Sequence, residues 1–217
     1  MPPRTLQIAV FGGNEDAVLA GLRNYPAHKL ILVSPVDFVT QAGQLSAKLS
    51  STLRLDVGIV QVNDTSVSTV LEAIGEIAKR ESDNFQEFLI NVGSATKHLT
   101  SAGVTAAFVH GIKAFEVVGD QVSALPVMKF SYSQVISRPK IEILRAIERS
   151  GGDVESLEQL SAISNLGKPL LSYHIRGSEN GYGLEKLGLV EIERGKRGRL
   201  KVRLTALGRT LLTTSFK

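Results

Sequence analysis

Residues 88–97 read Phe-Leu-Ile-Asn-Val-Gly-Ser-Ala-Thr-Lys, and the order of chemical types in that stretch decides how the first two-thirds of the chain folds. Phe88, Leu89 and Ile90 form a short apolar run, which is what a strand buried on both faces requires. Gly93, Ser94 and Ala95 then turn the chain through residues small enough to let another molecule approach the backbone. Thr96 and Lys97 open what the spacing predicts as a helix. Unpaired amides and the positive end of a helix dipole at such a start favour an anion. The Thr96 hydroxyl and the Lys97 ammonium add two donors suited to phosphate oxygens. The plain alternative is an ordinary strand-to-helix turn with a solvated Lys97.

Outward from that stretch, the same alternation repeats. Residues 6–11, Leu-Gln-Ile-Ala-Val-Phe, predict a strand that ends in Gly12-Gly13-Asn14, with Asn14 as N-cap of a helix running to about Asn24. Residues 29–33 predict a second strand, stopped by Ser34-Pro35, with helical spacing over about 37–53. Residues 57–62 predict a third strand. Asn63-Asp64-Thr65 then supply capping residues before a helix whose Val67, Val70, Leu71, Ile74 and Ile77 share one apolar face. After the opening stretch comes a helix carrying Val104 and Phe108, ending at Gly111. A fifth strand over 114–118 reaches Gly119-Asp120, and residues 121–130 read as a returning hairpin strand.

Four rounds of strand and helix imply a Rossmann-like α/β fold, a mostly parallel sheet with helices on both faces. Such sheets bind ligands beyond the carboxyl ends of their strands, which here carry residues 12–16, 34–37, 63–64 and 93–97. A nicotinamide cofactor fits poorly. The first turn lacks the Gly-x-Gly-x-x-Gly pattern, and Glu15 and Asp16 would repel a pyrophosphate. A Walker loop fails too, because no glycine immediately precedes Lys97. No cofactor is expected.

Composition sets the remaining bounds. The chain has 217 residues, 43% of them hydrophobic, enough for one medium domain and one small one. With no Cys, disulfides and thiolate chemistry are excluded, and a zinc site lacks its commonest ligand. His28, His98, His110 and His174 are scattered without a ligand pattern, so no metal site is expected; no Ser-His-Asp order with a nucleophile elbow is present either. Residues 1–4 run directly into a strand with neither a signal-peptide apolar core nor a membrane span, so a cytoplasmic protein is the expectation.

Charge is divided unevenly. Residues 1–136 carry 10 Lys and Arg against 12 Asp and Glu, whereas residues 137–217 carry 15 against 9. A near-neutral domain followed by a basic one is the footprint of a nucleic-acid-binding module. The expected domains are a ligand-sensing domain over 1–132 and a DNA-binding domain over 133–217.

In that last third Pro139 opens a helix with Ile141, Ile143, Leu144 and Ile147 apolar. Ser156 caps a second helix, Asn165-Leu166-Gly167 turns the chain, and Lys168-Pro169 opens a third. Two helices joined by about three residues are the helix-turn-helix arrangement, whose second helix enters the major groove. On that helix Lys168, Ser172, Tyr173, His174 and Arg176 are the candidates to reach bases or phosphates. Leu184 to Val190 lead into a basic hairpin, a wing, whose Lys196, Arg197 and Arg199 are placed for phosphates or a minor groove. A solvated basic hairpin is the bland alternative. Between helix and wing lies Gly177-Ser178-Glu179-Asn180-Gly181-Tyr182-Gly183. Its three glycines predict a short recognition helix, with Tyr182 either packing back or touching a DNA backbone.

A Rossmann-like sensor followed by a winged helix resembles the CARF-domain transcription regulators of CRISPR loci, mostly archaeal. The residues that carry the resemblance are Asn91, Thr96 and Lys97. They match the family's Asn-x-Thr-Gly-Gly-Thr-Lys/Arg, with Gly93, Ser94 and Ala95 standing for Thr-Gly-Gly. Leu171 to Ile175 with Leu184 to Val190 look like its winged helix. The resemblance implies a homodimer binding a cyclic oligoadenylate, such as cyclic tetra-adenylate, and double-stranded DNA at a promoter or CRISPR leader. It implies that Asn91, Gly93, Ser94, Ala95, Thr96 and Lys97 hold the ligand, with Gly12, Gly13, Asn14 and Ser34 lining the same cleft. Two rivals stay open: a ring nuclease that cleaves the cyclic ligand, and a repressor sensing another anionic metabolite.

Overall fold

The structure is a computed structural model that describes residues 3–119, 121–127, 136–178, 181–194 and 199–214, the Thr214 side chain excepted. The chain divides into two compact units, Met1–Ser131 and Tyr132–Lys217.

In the first unit, strands β1 (Thr5–Val10), β2 (Lys29–Pro35), β3 (Asp56–Val62), β4 (Glu87–Asn91), β5 (Lys113–Val118) and β6 (Gln121–Ala124) form one sheet in the order β3-β2-β1-β4-β5-β6. The pairs β1–β2, β1–β4, β2–β3 and β4–β5 are parallel, and β6 returns antiparallel to β5. Helices α1 (Glu15–Asn24), α2 (Val39–Leu53), α3 (Val67–Glu81) and α4 (Lys97–His110) are the crossovers. The central strand shows why: every residue of β1 is buried, as a strand covered on both faces must be. The order in which successive strands are added reverses between β1 and β4, the topological switch point at which such sheets carry their crevice.

Local sequence explains the helix starts. Asn14 caps α1 by accepting from the Ala17 amide at 3.1 Å. For α3 the cap is Ser66, accepting from Thr69 at 3.3 Å, not the Asn63-Asp64-Thr65 segment the sequence suggested. Asp64 instead accepts from the Ser66 amide at 2.8 Å and fixes the cap residue. Between β2 and α2 a 3-10 turn, Val36–Phe38, delays the α-helix. The core lies on both faces of the sheet: Leu30, Leu32 and Leu45 in one cluster and Leu89 with Phe115 in another share one face by strand register, while the buried Ile8, Ile31 and Ile90 point to the other. Each such side chain contributes roughly 1.5–3 kcal/mol relative to exposure, so packing, not surface ion pairing, holds the sheet.

The second unit begins with α5 (Arg138–Arg149), whose Ile143, Leu144, Ala146 and Ile147 are buried. Helix α6 (Leu157–Ser164) is capped by Ser156 and ends at Asn165, which takes a left-handed φ of 57°. Helix α7 (Lys168–Arg176) follows after that short turn. Strands β7 (Asp153–Val154), β10 (Val190–Arg194) and β11 (Leu200–Leu204) make an antiparallel sheet in the order β10-β11-β7. A separate two-residue hairpin pairs β8 (Gly177–Ser178) with β9 (Gly181–Tyr182), and α8 (Ala206–Thr214) follows the sheet. Among the described residues no helix is long and apolar enough to cross a membrane.

Candidate functional site

The crevice of the first unit is built by two loops that touch. The Gly12 amide, just past β1, donates to the Ser94 carbonyl, just past β4, at 2.7 Å. Ser94 Oγ returns a hydrogen bond to the Val10 carbonyl at 2.9 Å. Contact is closest at Gly12, where a Cβ would fall 2.6 Å from the Thr96 nitrogen and 2.9 Å from its Cγ2. Real Cβ atoms do not approach backbone that closely, so glycine is required for the two loops to meet.

Asn91 ties a third element into the assembly. It is fully buried; its Nδ2 donates to the Ala17 carbonyl in α1 at 3.1 Å, and its Oδ1 accepts from the Gly93 amide at 2.9 Å. A buried amide with both ends engaged satisfies its polar atoms and fixes the turn at once.

These contacts divide the expected ligand residues into two groups. Asn91, Ser94 and Ser34 have no exposed surface. Their polar atoms serve the fold internally, Ser34 Oγ meeting the Pro35 carbonyl at 3.2 Å, so they shape the crevice and do not face it. Gly12, Gly13, Gly93, Ala95 and Thr96 are partly accessible, and Asn14 and Lys97 are exposed. Thr96 is the N-cap residue of α4 and makes no side-chain capping bond, which leaves its hydroxyl at the mouth of the helix. The structure also brings Phe38 and Gln41 against Gly13, with Phe38 Cε1 3.0 Å and Gln41 Oε1 3.1 Å from where a Gly13 Cβ would lie. Sequence reading placed this loop at the cleft but passed over these two, because nothing in an isolated Phe or Gln marks it as crevice-facing. Among the described residues no group of three metal-ligating side chains occurs.

In the second unit Lys168, Tyr173 and Arg176 on α7 are exposed, whereas Ser172 and His174 are partly covered. Lys168 pairs with Glu158 at 2.7 Å, and that ammonium holds the Glu158 carboxyl below its usual range. His174 Nδ1 is buried without a hydrogen-bond partner, and burial first, then the Lys140 ammonium, pushes the ring's pKa down. His174 is therefore mainly a neutral, inward-leaning ring. Arg199 is exposed at the start of β11, while Lys196 and Arg197 lie outside the described residues.

Sheet order and loop contacts define a doubly wound α/β protein whose β1 and β4 loops meet at its switch point. The family model described as HFX_2341_N:-like, N-terminal, matches residues 5–121, more than half of the chain, and the chain belongs to that family. It is 26% identical over 196 residues to an uncharacterized protein of Archaeoglobus fulgidus, covering 88% of each chain. Among solved structures it is similar to VC1899 from Vibrio cholerae, with a TM-score of 0.50 at 12% identity over 97% of this chain, a likeness of fold alone. Weaker likenesses are to a type III CRISPR defence DNA nuclease activated by cyclic oligoadenylate (TM-score 0.48, 11% identity, 81% of this chain) and to Can2 from Sulfobacillus thermosulfidooxidans in complex with cyclic tetra-adenylate (0.45, 9%, 96%). The chain spans 64%, 34% and 61% of those three structures' lengths, respectively.

Proposed function

We propose that the chain is a ligand-responsive, DNA-binding transcriptional regulator of CRISPR-Cas loci, in which a homodimeric CARF sensor of cyclic oligoadenylate controls a winged-helix reader. The observation that carries the reading is the Gly12–Ser94 contact. It sets Thr96 and Lys97, a hydroxyl and an ammonium at the start of α4, at the switch-point crevice where an anionic ligand is stabilised by the helix amides. Gly12, Gly13, Asn14, Gly93 and Ala95 offer backbone and small side chains beside them. A two-fold cyclic phosphate ring is best received by a two-fold pair of such crevices.

The reader half rests on α6, the three-residue turn and α7, with Arg176 exposed on α7 and Arg199 by the β10–β11 sheet. Excess positive charge beyond residue 136 supplies the sequence-independent attraction to phosphate. A ligand that prefers one of two dimer arrangements would alter the spacing of the two reading helices.

The test is a thermal-shift series with cyclic tetra-adenylate and other ring sizes, followed by DNA binding with and without the effective ring. A ring that raises the melting temperature by mass action and changes DNA affinity supports the reading. Chromatography of the incubated ring separates sensor from nuclease, since linear products belong to the second. A co-purified anion of another kind, identified by mass spectrometry, belongs to the metabolite-sensing repressor.

A further inference from the structure

The loop after β1 has a neighbour on each side, because β1 lies between β2 and β4 in the sheet. The Phe11 amide still donates to the Val33 carbonyl of β2 at 2.8 Å, and the Gly12 amide then turns to Ser94 on the β4 side. Gly13 faces back the other way. Its φ of 98° is one that side chains rarely adopt. The place of its absent Cβ is approached by Phe38 Cε1 and Cδ1 at 3.0 and 3.1 Å and by Gln41 Oε1 at 3.1 Å. One missing β-carbon thus joins a ring and an amide into a single patch, one residue from the glycine that touches Thr96.

The two flanks of this loop differ in chemistry. On the β4 side stand the Thr96 hydroxyl, free of any capping bond, and the exposed Lys97 and His98. On the β2 side, residues 34–41 contain no Lys or Arg. That flank carries an exposed Val36 and Asp37, and Phe38, half-buried against the cluster of Leu30, Leu32 and Leu45. Gln41 is exposed, so its amide has both a donor and an acceptor to offer a guest. One flank suits a phosphate; the other suits a flat ring with a polar edge. Strands β2 and β4 are two strand spacings apart, about 10 Å, a span that a nucleotide covers from its phosphate across the ribose to its base.

We propose that Phe38 and Gln41 are the base-reading end of the sensor site, an adenine stacking on the Phe38 ring while the Gln41 amide pairs with its N6 amino group and N7. The inference rests on the cyclic oligoadenylate reading above and assigns the ring's base selectivity to two side chains. Unpaired bases stack on aromatic rings whatever their identity, whereas a Gln amide bonded to N6 and N7 singles out adenine. Gly13 is needed because a β-carbon would fill the space that the ring and the amide share.

The experiment is isothermal titration of the full chain with cyclic tetra- and hexa-adenylate and with the same rings made from inosine, whose base carries an oxygen in place of the amino group. The unaltered chain should bind an adenine ring about tenfold tighter than its inosine counterpart, within what a bidentate contact discriminates. Gln41→Ala should weaken the adenine ring about tenfold and bring the two rings to similar affinity. Its ligand-free melting temperature should stay unchanged, because the position is exposed. Phe38→Leu should weaken both rings alike, about tenfold, since stacking does not distinguish bases, and Phe38→Tyr, which keeps the plane, should restore them. Phe38 also packs against the core, so Gln41→Ala decides if Phe38→Leu melts early. An adenine preference that survives Gln41→Ala, or none in the unaltered chain, overturns the base-reading assignment and leaves the sensor standing. No binding of either adenine ring by the unaltered chain overturns the sensor reading with it.

Discussion

Gly12 and Thr96 lie so close that a β-carbon on the glycine would sit 2.6 Å from the threonine's backbone nitrogen. Gly12→Ala therefore forces the β1 loop and the start of α4 apart. The expected cost is about 1–3 kcal/mol, the range for overpacking, read as a fall in the urea midpoint, together with a reduced ligand-induced melting shift. Gly43 of α2 has open space around its Cβ position. Gly43→Ala should instead stabilise by about 0.5–1 kcal/mol through helix propensity, which makes it the matched control.

Asn91→Ala removes the acceptor for the Gly93 amide and the donor to Ala17. A loss of about 1–3 kcal/mol is expected for the groups left unpaired, measured by denaturation. Asn91→Asp keeps the acceptor but sets a carboxyl against the Ala17 carbonyl in a fully buried place. Its folded-state pKa should rise, so the variant binds protons more when folded. It should be less destabilised at pH 5 than at pH 8.

Lys97 is exposed, so Lys97→Ala should change stability by no more than about 0.5 kcal/mol. Ligand response is another matter. On the proposed reading, a ring present at a hundred times its dissociation constant would stabilise the unaltered chain by about 2.7 kcal/mol. Lys97→Ala should shrink that shift while DNA binding without ligand is preserved. Loss of both would mean that sensor and reader are not separable.

His110 Nε2 lies 3.1 Å from the Leu71 carbonyl, linking α4 to α3. Burial dominates and lowers its pKa, with the Leu71 contact opposing. A lowered folded pKa means that the unfolded chain takes up the proton first. Stability is then complete above the ordinary histidine value of about 6.5 and falls as pH drops below it. His174 is shifted in the same direction and adds to the trend. Melting curves between about pH 7.5 and 5 should show the decline, and His110→Gln, which cannot charge, should flatten its share.

Much of the first unit was legible because its local signals agree with one another. Residues 6–10 of the first run lie in β1 with Phe11 just past its end, residues 88–90 lie within β4, and Asn14 caps α1 as its place after Gly12-Gly13 implied. Mixed α/β architecture with a mostly parallel sheet follows from that alternation. Strand order was not legible, since periodicity records which faces are buried but not which strand is the neighbour. Polar residues misled for a related reason. Asn91, Ser94 and Ser34 look like ligand donors in isolation, yet two crossing loops have their own amides and carbonyls to satisfy, and these side chains are consumed in doing so. Phe38 ends a 3-10 turn that sequence spacing merged into α2, Gln41 lies in the first turn of α2, and both come against Gly13. Strand β7, only Asp153–Val154, is too short to carry an alternating pattern and exists through its pairing with β11.

The bonds that lock Asn91 to Ala17 and Gly93, and Ser94 to Gly12 and Val10, have a thermodynamic corollary. The floor beneath Thr96 and Lys97 is preorganised, so a guest does not have to freeze a wandering loop before gaining from it. Calorimetry of the complex should accordingly lack the large unfavourable entropy of coupled folding, and the backbone under the guest should keep one conformation whether occupied or vacant.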